Sequence, residues 1–507
     1  MSAEQDNLGA ESAPTGPVPE AADASTSYDQ VPYLSGARGA TSIDRLGTLG
    51  RLLGMEVADP QHCRVLELGC GDGGNLIPMA VSFPNSEFLG VDLARTAVER
   101  GLGAIGELRI PNIRLVQGTF AAVGEDNDAF DYVIAHGIYS WVPAEVRDQL
   151  LDVIRRVLAP NGVAFVSYNA LPGSHMRGVL REMMLLHTRS ITDPAEKIAQ
   201  ARELLAMLMR APAQAGDVYR PLLQSEVGIA MQTSDFLLYH DDLSEVNQPF
   251  FFADFMADAQ RHGLQFAAEA NFSQMSTESL PPDLAGQLAE LGQRDLLAKE
   301  QYLDFMTCRS FRQTLLCHEA VGMDRRVSLG RVRSFRIASD AREVPGEHPD
   351  GGVVAFAGPN TSALHSDHAA AIAVLRRLSS IYPRSLPFDE LATGAGAYAN
   401  GDAESLAEVL FRAYSAGVLE FHISEPGAVF DVSARPVASP WGRYRAASGR
   451  VVSLYHHSVS LGEGQAGVLQ LLDGAHTASA IATELGRERE EVATDIADFA
   501  AKGLLLG

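Results

Sequence analysis

The stretch Arg64–Asn75, which reads RVLELGCGDGGN, constrains the fold more than any other part of the chain. It opens with a short apolar run, which predicts a buried strand, and continues into the closely spaced glycines Gly69, Gly71, Gly73 and Gly74. An apolar helix is predicted directly after them. Glycines let the backbone approach a ligand, and the free N–H groups at the helix start favour an anion. The stretch therefore predicts a nucleotide-type cradle in an α/β domain.

Two cofactor patterns fit this cradle. Gly69-x-Gly71-x-x-Gly74 matches the dinucleotide fingerprint, whereas Glu67-x-Gly69-x-Gly71 resembles motif I of class I S-adenosylmethionine (SAM) methyltransferases. The Glu67 carboxylate suits a ligand that carries an ammonium and a sulfonium, and it fits less well beside a pyrophosphate. Asp92 ends the next predicted strand, where a carboxylate can accept hydrogen bonds from both ribose hydroxyls of either cofactor. We therefore favour SAM over NAD.

Predicted strands and helices alternate through the first 170 residues. The strands after the cradle are Glu87–Asp92, Ile113–Gln117, Phe130–Ala135 and Val163–Tyr168. An amphipathic helix from Pro143, ended by the Pro160-Asn161-Gly162 turn, joins the last two strands. This alternation predicts the α/β fold class, with a Rossmann-like class I methyltransferase sheet covered by helices on both faces.

Open parallel sheets bind ligands at the carboxyl ends of their strands, so the cofactor candidates follow those ends. They are Glu67, Gly69, Cys70, Gly71, Asn75, Asp92, Leu93, Gln117, Gly118, Thr119, Phe120, His136 and Gly137. Cys70 is expected to serve there as a small residue. Many SAM enzymes place an acidic residue for the adenine amine where this chain has Gly118-Thr119-Phe120. The adenine must then be recognised by Gln117, Thr119 or the backbone.

Aromatic side chains are predicted beside the transferring methyl group. Tyr139 and Trp141 follow the fourth strand, and Tyr168 and Asn169 end the fifth. A tyrosine–tryptophan wall can hold a cationic amine by cation–π attraction, and Tyr168 or His136 is predicted to take its proton. Simple packing of Tyr139 and Trp141 under a cap is the alternative. His240, in a later loop, either reaches the acceptor or forms a structural pair with Asp241.

The rest of the chain predicts further domains. We expect a disordered segment over 1–27, a SAM-binding core over 28–190 that begins with the aromatic arm Tyr28–Tyr33, and a helical cap over 191–325. Within the cap region, Leu264–Ala268 and Phe311–His318 are predicted strands that close the sheet, and a separate middle domain is the alternative. A linker over 326–360, with a strand-like piece at Arg331–Ile337, leads to a winged-helix-like domain over 361–507.

Composition limits the partners. The formal net charge is −24, which disfavours duplex nucleic acid because phosphate binding requires clustered lysine and arginine. A basic protein or peptide remains compatible with this charge. No apolar run approaches the length of a membrane span, and the four cysteines form no CxxC pair. No metal cluster is predicted, since His456 and His457 are expected to be neighbours on one strand and to point to opposite faces. We expect a cytoplasmic protein.

Several stretches together resemble one family. VLELGCGDGGN, AHGIYSWVP, SYNALPG, YDQVPY and FRQTLLCH are similar to methyltransferases with a methyltransferase regulatory domain, of the rickettsial protein-lysine type. The resemblance covers roughly 28–507. It implies SAM as cofactor, possible homodimers and the site positions above, with Glu67, Gly69, Gly71, Asp92 and His136 on the cofactor side. The chain departs from the family at Thr41-Ser42, where a histidine–proline pair is expected.

These observations lead to three hypotheses. The first is a SAM-dependent methyltransferase that acts on an amine of a protein or peptide. The last 50 residues also resemble, weakly, peptide-binding modules of ribosomal-peptide biosynthesis, through LLDGAHT at 471–477. A biosynthetic peptide is therefore one form of that acceptor. The alternatives are a small-molecule O- or N-methyltransferase and a non-catalytic SAM-binding regulator.

Overall fold

A seven-stranded sheet lies at the centre of the first 320 residues. The computed structural model describes residues 27–33, 35–120, 123–124, 129–210, 218–278, 280–345, 353–359 and 363–507, so the segment 1–27 predicted as disordered lies outside them except for Ser27. The strands are β1 (Arg64–Leu68), β2 (Glu87–Asp92), β3 (Ile113–Gln117), β4 (Phe130–Ala135), β5 (Leu158–Asn169), β6 (Leu264–Glu269) and β7 (Phe311–His318).

The strand order is β3-β2-β1-β4-β5-β7-β6. The first five strands run parallel, and β7 is antiparallel to both of its neighbours. Both strands predicted from the cap region therefore join the sheet, as expected, and the alternative of a separate middle domain is wrong for them. The mixed α/β architecture is the predicted fold class.

Twelve α-helices belong to this half of the described chain. They are α1 (Ser27–Gln30), α2 (Ile43–Leu52), α3 (Leu76–Ser82), α4 (Arg95–Leu108), α5 (Ala144–Val157), α6 (Ser174–Thr188), α7 (Pro194–Arg210), α8 (Tyr219–Gln232), α9 (Asp235–Leu237), α10 (Phe252–Arg261), α11 (Pro282–Arg294) and α12 (Leu296–Thr307).

Alternate residues of the strands supply two cores, one on each face of the sheet. On one face α2, α3 and α4 cover side chains such as Val65 and Ile134. On the other face α5 and α10 cover Leu66 and Val133. Helices α6, α7 and α8 form a separate apolar cluster away from the sheet. The cap is therefore inserted between β5 and β6 and has its own small core.

Strand β5 begins earlier than predicted. The sequence places a turn at Pro160-Asn161-Gly162, whereas the structure pairs Leu158 with Phe130 and then Val163 with Tyr132. The turn residues are accommodated as an irregularity in one strand, because extra residues on one side of a ladder can bulge out without ending it.

The C-terminal third contains eight α-helices and eight strands among its described residues. The strands are β8 (Arg336–Ala338), β9 (Arg342–Glu343), β10 (Val354–Ala357), β11 (Ala363–Ser366), β12 (Leu386–Pro387), β13 (Glu420–His422), β14 (Arg450–Val452) and β15 (Ser458–Ser460). The helices are α13 (Leu329–Val332), α14 (Ala369–Ile381), α15 (Phe388–Gly394), α16 (Ala403–Ser415), α17 (Pro440–Arg445), α18 (Gln465–Gln470), α19 (Ala478–Leu485) and α20 (Arg489–Ala501).

Three predictions in this region are wrong. The segment 326–360 is not a simple linker, because β8 is the central strand of the sheet β12-β8-β13 and Ile337 is fully buried. The strand-like piece predicted from Arg331 begins instead as the helical turn α13. His456 and His457 lie in the turn between β14 and β15 and not on a strand.

No helix in the described ranges is long and apolar enough to cross a membrane.

Candidate active site

The first two strands bring the two predicted carboxylates to the same edge of the sheet. Strands β1 and β2 pair in register as far as Leu68 and Val91. The Gly69 N–H then donates to the Val91 carbonyl at 2.7 Å, so the glycine loop begins against the end of β2. Glu67 and Asp92 therefore lie at adjoining strand ends, as the sequence predicts.

Asp92 fixes the glycine loop with both of its oxygens. Oδ2 accepts from the Gly71 N–H and Oδ1 from the Ala94 N–H, each at 2.8 Å. Burial raises the pKa of Asp92, and these two backbone hydrogen bonds oppose the rise. A carboxylate oxygen can accept more than one hydrogen bond. The side chain can therefore hold the loop and still receive two ribose hydroxyls.

The glycine loop is left-handed at the positions that the fingerprint requires. Gly69 has φ +73° and Gly71 has φ +58°, a region that glycine adopts without steric cost. A Cβ at Gly69 would come within 2.1 Å of Ile138. Cys70 packs against β2, since a Cβ at Gly90 would be 2.7 Å from its Sγ, which agrees with its expected role as a small residue.

Gly74 is required for a different reason. A Cβ there would lie 2.4 Å from the Ser35 carbonyl oxygen, because the chain after the aromatic arm crosses the loop at this point. The Gly74 N–H donates to Ser35 Oγ at 2.8 Å, and that hydroxyl donates to Asp72. The fingerprint glycine thus accommodates the chain's own N-terminal segment. The sequence pattern does not indicate this contact.

Glu67 is a buried carboxyl group with one oxygen unsatisfied. Oε1 accepts from Asn75 Nδ2 at 2.8 Å, whereas no described residue hydrogen-bonds to Oε2. Burial raises the pKa of Glu67 to about 8. An unsatisfied buried acceptor costs free energy unless a donor arrives. This orphaned oxygen and the left-handed loop fit the ammonium and the backbone approach of SAM.

We expect the binding of S-adenosylhomocysteine at pH 7 to release close to one proton. Glu67 is mostly protonated at pH 7, and an ammonium beside it lowers its pKa. Calorimetry in two buffers of different ionisation enthalpy measures the released proton, and Glu67→Gln serves as the control that releases none. Equal heats in both buffers would contradict the assignment.

The remaining cofactor candidates surround the same edge. Gln117 pairs in register with Asp92, and the Gly118 N–H donates to the Asp92 carbonyl at 2.9 Å. Leu93 and Thr119 are exposed, and Phe120 is half-buried. The exposed ends of β2 and β3 thus provide apolar and polar contacts for an adenine. Their assignment as cofactor contacts stays a prediction.

His136 is a neutral hydrogen-bonding residue and not a base. Its Nδ1 lies 3.0 Å from Ser167 Oγ, which also accepts from the Gly137 N–H at 2.8 Å. Burial lowers the pKa of His136 to about 3. At neutral pH the ring is uncharged and far too weak a base to take a proton from an amine. The lowered pKa disfavours His136 as the proton acceptor, and its place on the cofactor side stays a prediction.

Tyr139 and Tyr168 belong to the core beneath the site. Both are fully buried and pack against Phe255, at ring-centroid distances of 5.0 and 4.1 Å. The Tyr139 hydroxyl donates to Asp258 at 2.7 Å. The Tyr168 hydroxyl lies 3.2 Å from Thr314, and burial raises its pKa well above the usual value. This burial favours the alternative of simple packing for Tyr139, and the assignment of Tyr139 and Tyr168 to the acceptor stays a prediction.

Tyr168→Phe should therefore leave methyl transfer within about twofold of the parent. The change removes one hydrogen bond, and the Thr314 hydroxyl keeps Glu269 as a partner at 2.8 Å. We expect a loss of about 1 kcal/mol in the free energy of unfolding. Denaturant unfolding and a steady-state assay measure the two effects. A large loss of turnover with normal stability would restore a catalytic role.

Trp141 follows β4 and Asn169 ends β5, and their assignment to the acceptor side stays a prediction. Trp141 is half-buried, and its indole N–H has no hydrogen-bond partner among the described residues. Asn169 donates through Nδ2 to Asn247 Oδ1 at 2.8 Å, and Asn247 in turn donates to the Asp241 carbonyl at 2.7 Å. The end of β5 thus positions a segment of the cap.

The aromatic arm is ordered and packs against that segment. Leu238–Asp242 is π-helical, a conformation that often marks functional sites. His240 is 3% exposed, stacks on Tyr28 at 4.3 Å and donates through Nε2 to the Val31 carbonyl at 2.7 Å. Burial lowers the pKa of His240. It holds the arm in place, so its predicted contact with the acceptor is wrong.

Asp241 faces the same space as the arm. Its pKa is raised to about 7 by burial and by the neighbouring Asp242, and it lies close enough to raise the pKa of both Tyr28 and Tyr33. The Asp92 charge also raises the pKa of Tyr28, so both carboxylates act on this tyrosine. The sequence indicates Asp241 only as a structural partner of His240.

Among the described residues, no group of three or more His, Cys, Asp and Glu side chains could hold a metal ion.

Three family models match the chain. A methyltransferase domain matches residues 65–162, a predicted methyltransferase regulatory domain matches 234–318, and a PKMT C-terminal winged-helix domain matches 434–501. The first covers the glycine loop and the strand ends, and the second covers the π-helical segment, β6 and β7. The first two matches therefore contain most of the strands of the central sheet.

Two uncharacterized proteins of Rickettsia prowazekii are similar to this chain in sequence. One is 38% identical over 310 residues, which is 61% of this chain but only 56% of that relative. The other is 36% identical over 235 residues, which is 46% of this chain and 94% of that relative. The chain thus spans a little over half of the first relative and almost all of the second.

A solved structure resembles nearly the whole fold. PKMT2 from Rickettsia typhi, also solved in complex with AdoHcy (S-adenosylhomocysteine), matches with a TM-score of 0.83 at 26–27% identity, over 94% of this chain and 100% of that one. The domain matches, the relatives and this fold agree with the geometry of the glycine loop. The chain belongs to the SAM-dependent methyltransferases that combine a methyltransferase domain with a methyltransferase regulatory domain and a PKMT C-terminal winged-helix domain.

Proposed function

We propose that the protein transfers a methyl group from SAM to a lysine-type amine of a protein or peptide. One observation carries the proposal: Asp241, a half-buried carboxyl group whose pKa burial raises to about 7, follows His240, on which Tyr28 of the arm stacks at 4.3 Å. The PKMT winged-helix match and the likeness to PKMT2 support a protein acceptor.

The proposed acceptor site combines the rings of Tyr28 and Tyr33 with the carboxylate of Asp241. Tyr28 and Tyr33 lie 6.3 Å apart edge to face, and Tyr33 also hydrogen-bonds to Arg38. Aromatic faces attract a cationic amine, and a carboxylate at their side increases that attraction. A lysine side chain is long and thin enough to place its ammonium between such rings. The formal charge of −24 further favours a basic partner.

The residues of the chain must align the amine and remove its proton. A lysine has a pKa near ~10.4, so it is protonated at neutral pH and cannot attack. SAM supplies the electrophilic methyl group. Asp241 is the proposed acceptor of the ammonium proton, because its raised pKa is closer to the pKa of the lysine ammonium than that of an ordinary carboxyl group. The Asn169–Asn247 hydrogen bond holds the carbonyl of Asp241, which fixes the backbone of the base.

Transfer of labelled methyl from SAM tests the proposal. The full-length protein is incubated with a protein pool, a peptide pool and a small-metabolite pool from the same cells, and the products are hydrolysed and separated. Label in methylated lysine supports the proposal. Label found only in small molecules supports a small-molecule methyltransferase, and SAM binding without transfer supports a regulator, so both outcomes contradict it. Pre-methylated protein serves as the control acceptor.

We also propose a homodimer formed through the cap. Helices α6, α7 and α8 expose large apolar side chains, including Leu186, Met207, Leu222 and Ile229, which are 51–64% exposed. Exposed apolar patches of this kind mark interaction surfaces. Light scattering of the parent and of Leu222→Glu/Ile229→Glu tests this, and a monomeric parent would contradict it.

We also propose a cytoplasmic location. The four cysteines are free, as is usual in a reducing compartment.

A further inference from the structure

The turn between β14 and β15 in the C-terminal domain contacts the glycine loop of the methyltransferase core. His456, in this turn, is 3% exposed and has a left-handed backbone with φ +62°. Its Nε2 lies 3.0 Å from Asn75 Oδ1, although 381 residues separate the two in sequence. A non-glycine residue in this backbone region is strained, so the surrounding structure must hold it there.

The other hydrogen bonds of Asn75 show which residue is the donor in its contact with His456. Asn75 Nδ2 donates to Glu67 Oε1, so its Oδ1 is the acceptor end of the amide. Oδ1 also accepts from the Arg38 N–H at 3.0 Å, whereas the Thr41 hydroxyl, 3.0 Å from Oδ1, donates its one hydrogen to the Arg38 carbonyl at 2.8 Å. His456 must therefore donate through Nε2–H. Burial lowers the pKa of His456 to about 3, so the ring is neutral and this single N–H is its only ring donor.

An asparagine amide can be turned over at little cost in volume, but not in this environment. A turned amide would aim its NH₂ group at the Arg38 N–H and the His456 N–H, and it would lose the hydrogen bond that it donates to Glu67 Oε1. His456 is the donor that comes from the C-terminal domain. It therefore favours the orientation that leaves Asn75 donating to Oε1 and keeps Glu67 Oε2 available.

We propose that His456 is a positioning residue of the SAM site, through which the docked C-terminal domain orients Asn75 and thereby Glu67 toward the cofactor's ammonium. Cofactor affinity then depends on how this domain sits on the core. A substrate or partner that shifts the domain alters SAM binding through the same contact. The proposal rests on the cofactor and not on the acceptor, so its test needs no methyl acceptor.

The test compares S-adenosylhomocysteine affinity by calorimetry in three full-length variants. His456→Ala removes the donor and should weaken binding by about tenfold, the effect of one buried hydrogen bond. His456→Gln places an N–H near the position of Nε2 and should bind within about threefold of the parent. His476→Ala is the matched control, because His476 bonds to Asp473 on the surface of the same domain and should not change affinity.

A double-mutant cycle separates positioning from general destabilisation. If His456 acts through Asn75 on Glu67, then His456→Ala should change affinity little when Glu67 is already Gln. Thermal unfolding of each variant shows whether the fold is retained. Parent-like affinity in His456→Ala, equal loss in His456→Gln, or additive losses in the cycle would each overturn the proposal. A failure to methylate any acceptor would leave these binding results unaffected and would count only against the proposed function.

Discussion

Asp92→Ala should weaken binding of SAM and S-adenosylhomocysteine by about a hundredfold, since two charged hydrogen bonds of about 1.5 kcal/mol or more are removed. The side chain also accepts from the N–H groups of Gly71 and Ala94, so its loss frees the glycine loop. The fold should survive the loss of this carboxylate. Burial raises the pKa of Asp92, which means that its charged form is unfavourable in the ligand-free protein. Calorimetry measures affinity, and circular dichroism measures the fold.

Two controls sharpen this measurement. Asp92→Asn keeps the volume and one acceptor oxygen, and it should lose less affinity than the alanine variant. Glu87→Ala changes an exposed carboxylate at the opposite end of the same strand and should leave affinity unchanged. Parent-like binding by Asp92→Ala would remove the ribose assignment and with it the central reason for choosing this edge as the cofactor site.

Asp241→Asn should lower the turnover number by about 10²–10³-fold while cofactor affinity stays near normal, as expected for loss of a general base. The amide keeps the shape and the backbone hydrogen bond from Asn247 but cannot accept the ammonium proton. In the parent, the rate should rise as pH increases through about 7, because the Asp241 carboxylate forms over that range. The variant should lose this rise. Single-turnover methyl transfer at several pH values measures both effects.

Asp235→Asn is the matched control for that experiment. Asp235 lies in α9, six residues earlier in the same segment, and its carboxylate pairs with Arg202 at the surface. This variant should keep the parent rate and pH profile. An Asp241→Asn protein with parent-like turnover would exclude proton removal by this side chain and would favour release of the proton to water.

The sequence predicts the strands β1 and β2 and the glycine loop well, because their geometry depends on local rules. Strand periodicity fixes β1 and β2, and parallel pairing then places Glu67 and Asp92 at one edge without any knowledge of distant contacts. Glycine spacing predicts the left-handed loop in the same way. The residues that determine this geometry lie within fewer than thirty positions of one another in the sequence.

The acceptor half could not be predicted from such rules. Tyr139 and Tyr168 follow strand ends, as substrate contacts often do, but α10 supplies Phe255 to bury both. That packing depends on a helix more than eighty residues later. The position of Asp241 depends on a π-helical turn and on Asn247, and His456 reaches Asn75 from another domain. These contacts are non-local, and no spacing in the sequence marks them.

The insertion of the cap between β5 and β6 ties substrate entry to the integrity of the sheet. The chain enters the cap from β5 and leaves it into β6, and β7 lies between these two strands in the sheet. The cap therefore cannot be released as an independent lid without pulling on the border of the catalytic core. For the protein acceptor proposed above, opening must come from motion of the arm or bending within the helices. This half of the enzyme should resist heat and proteases as one cooperative unit.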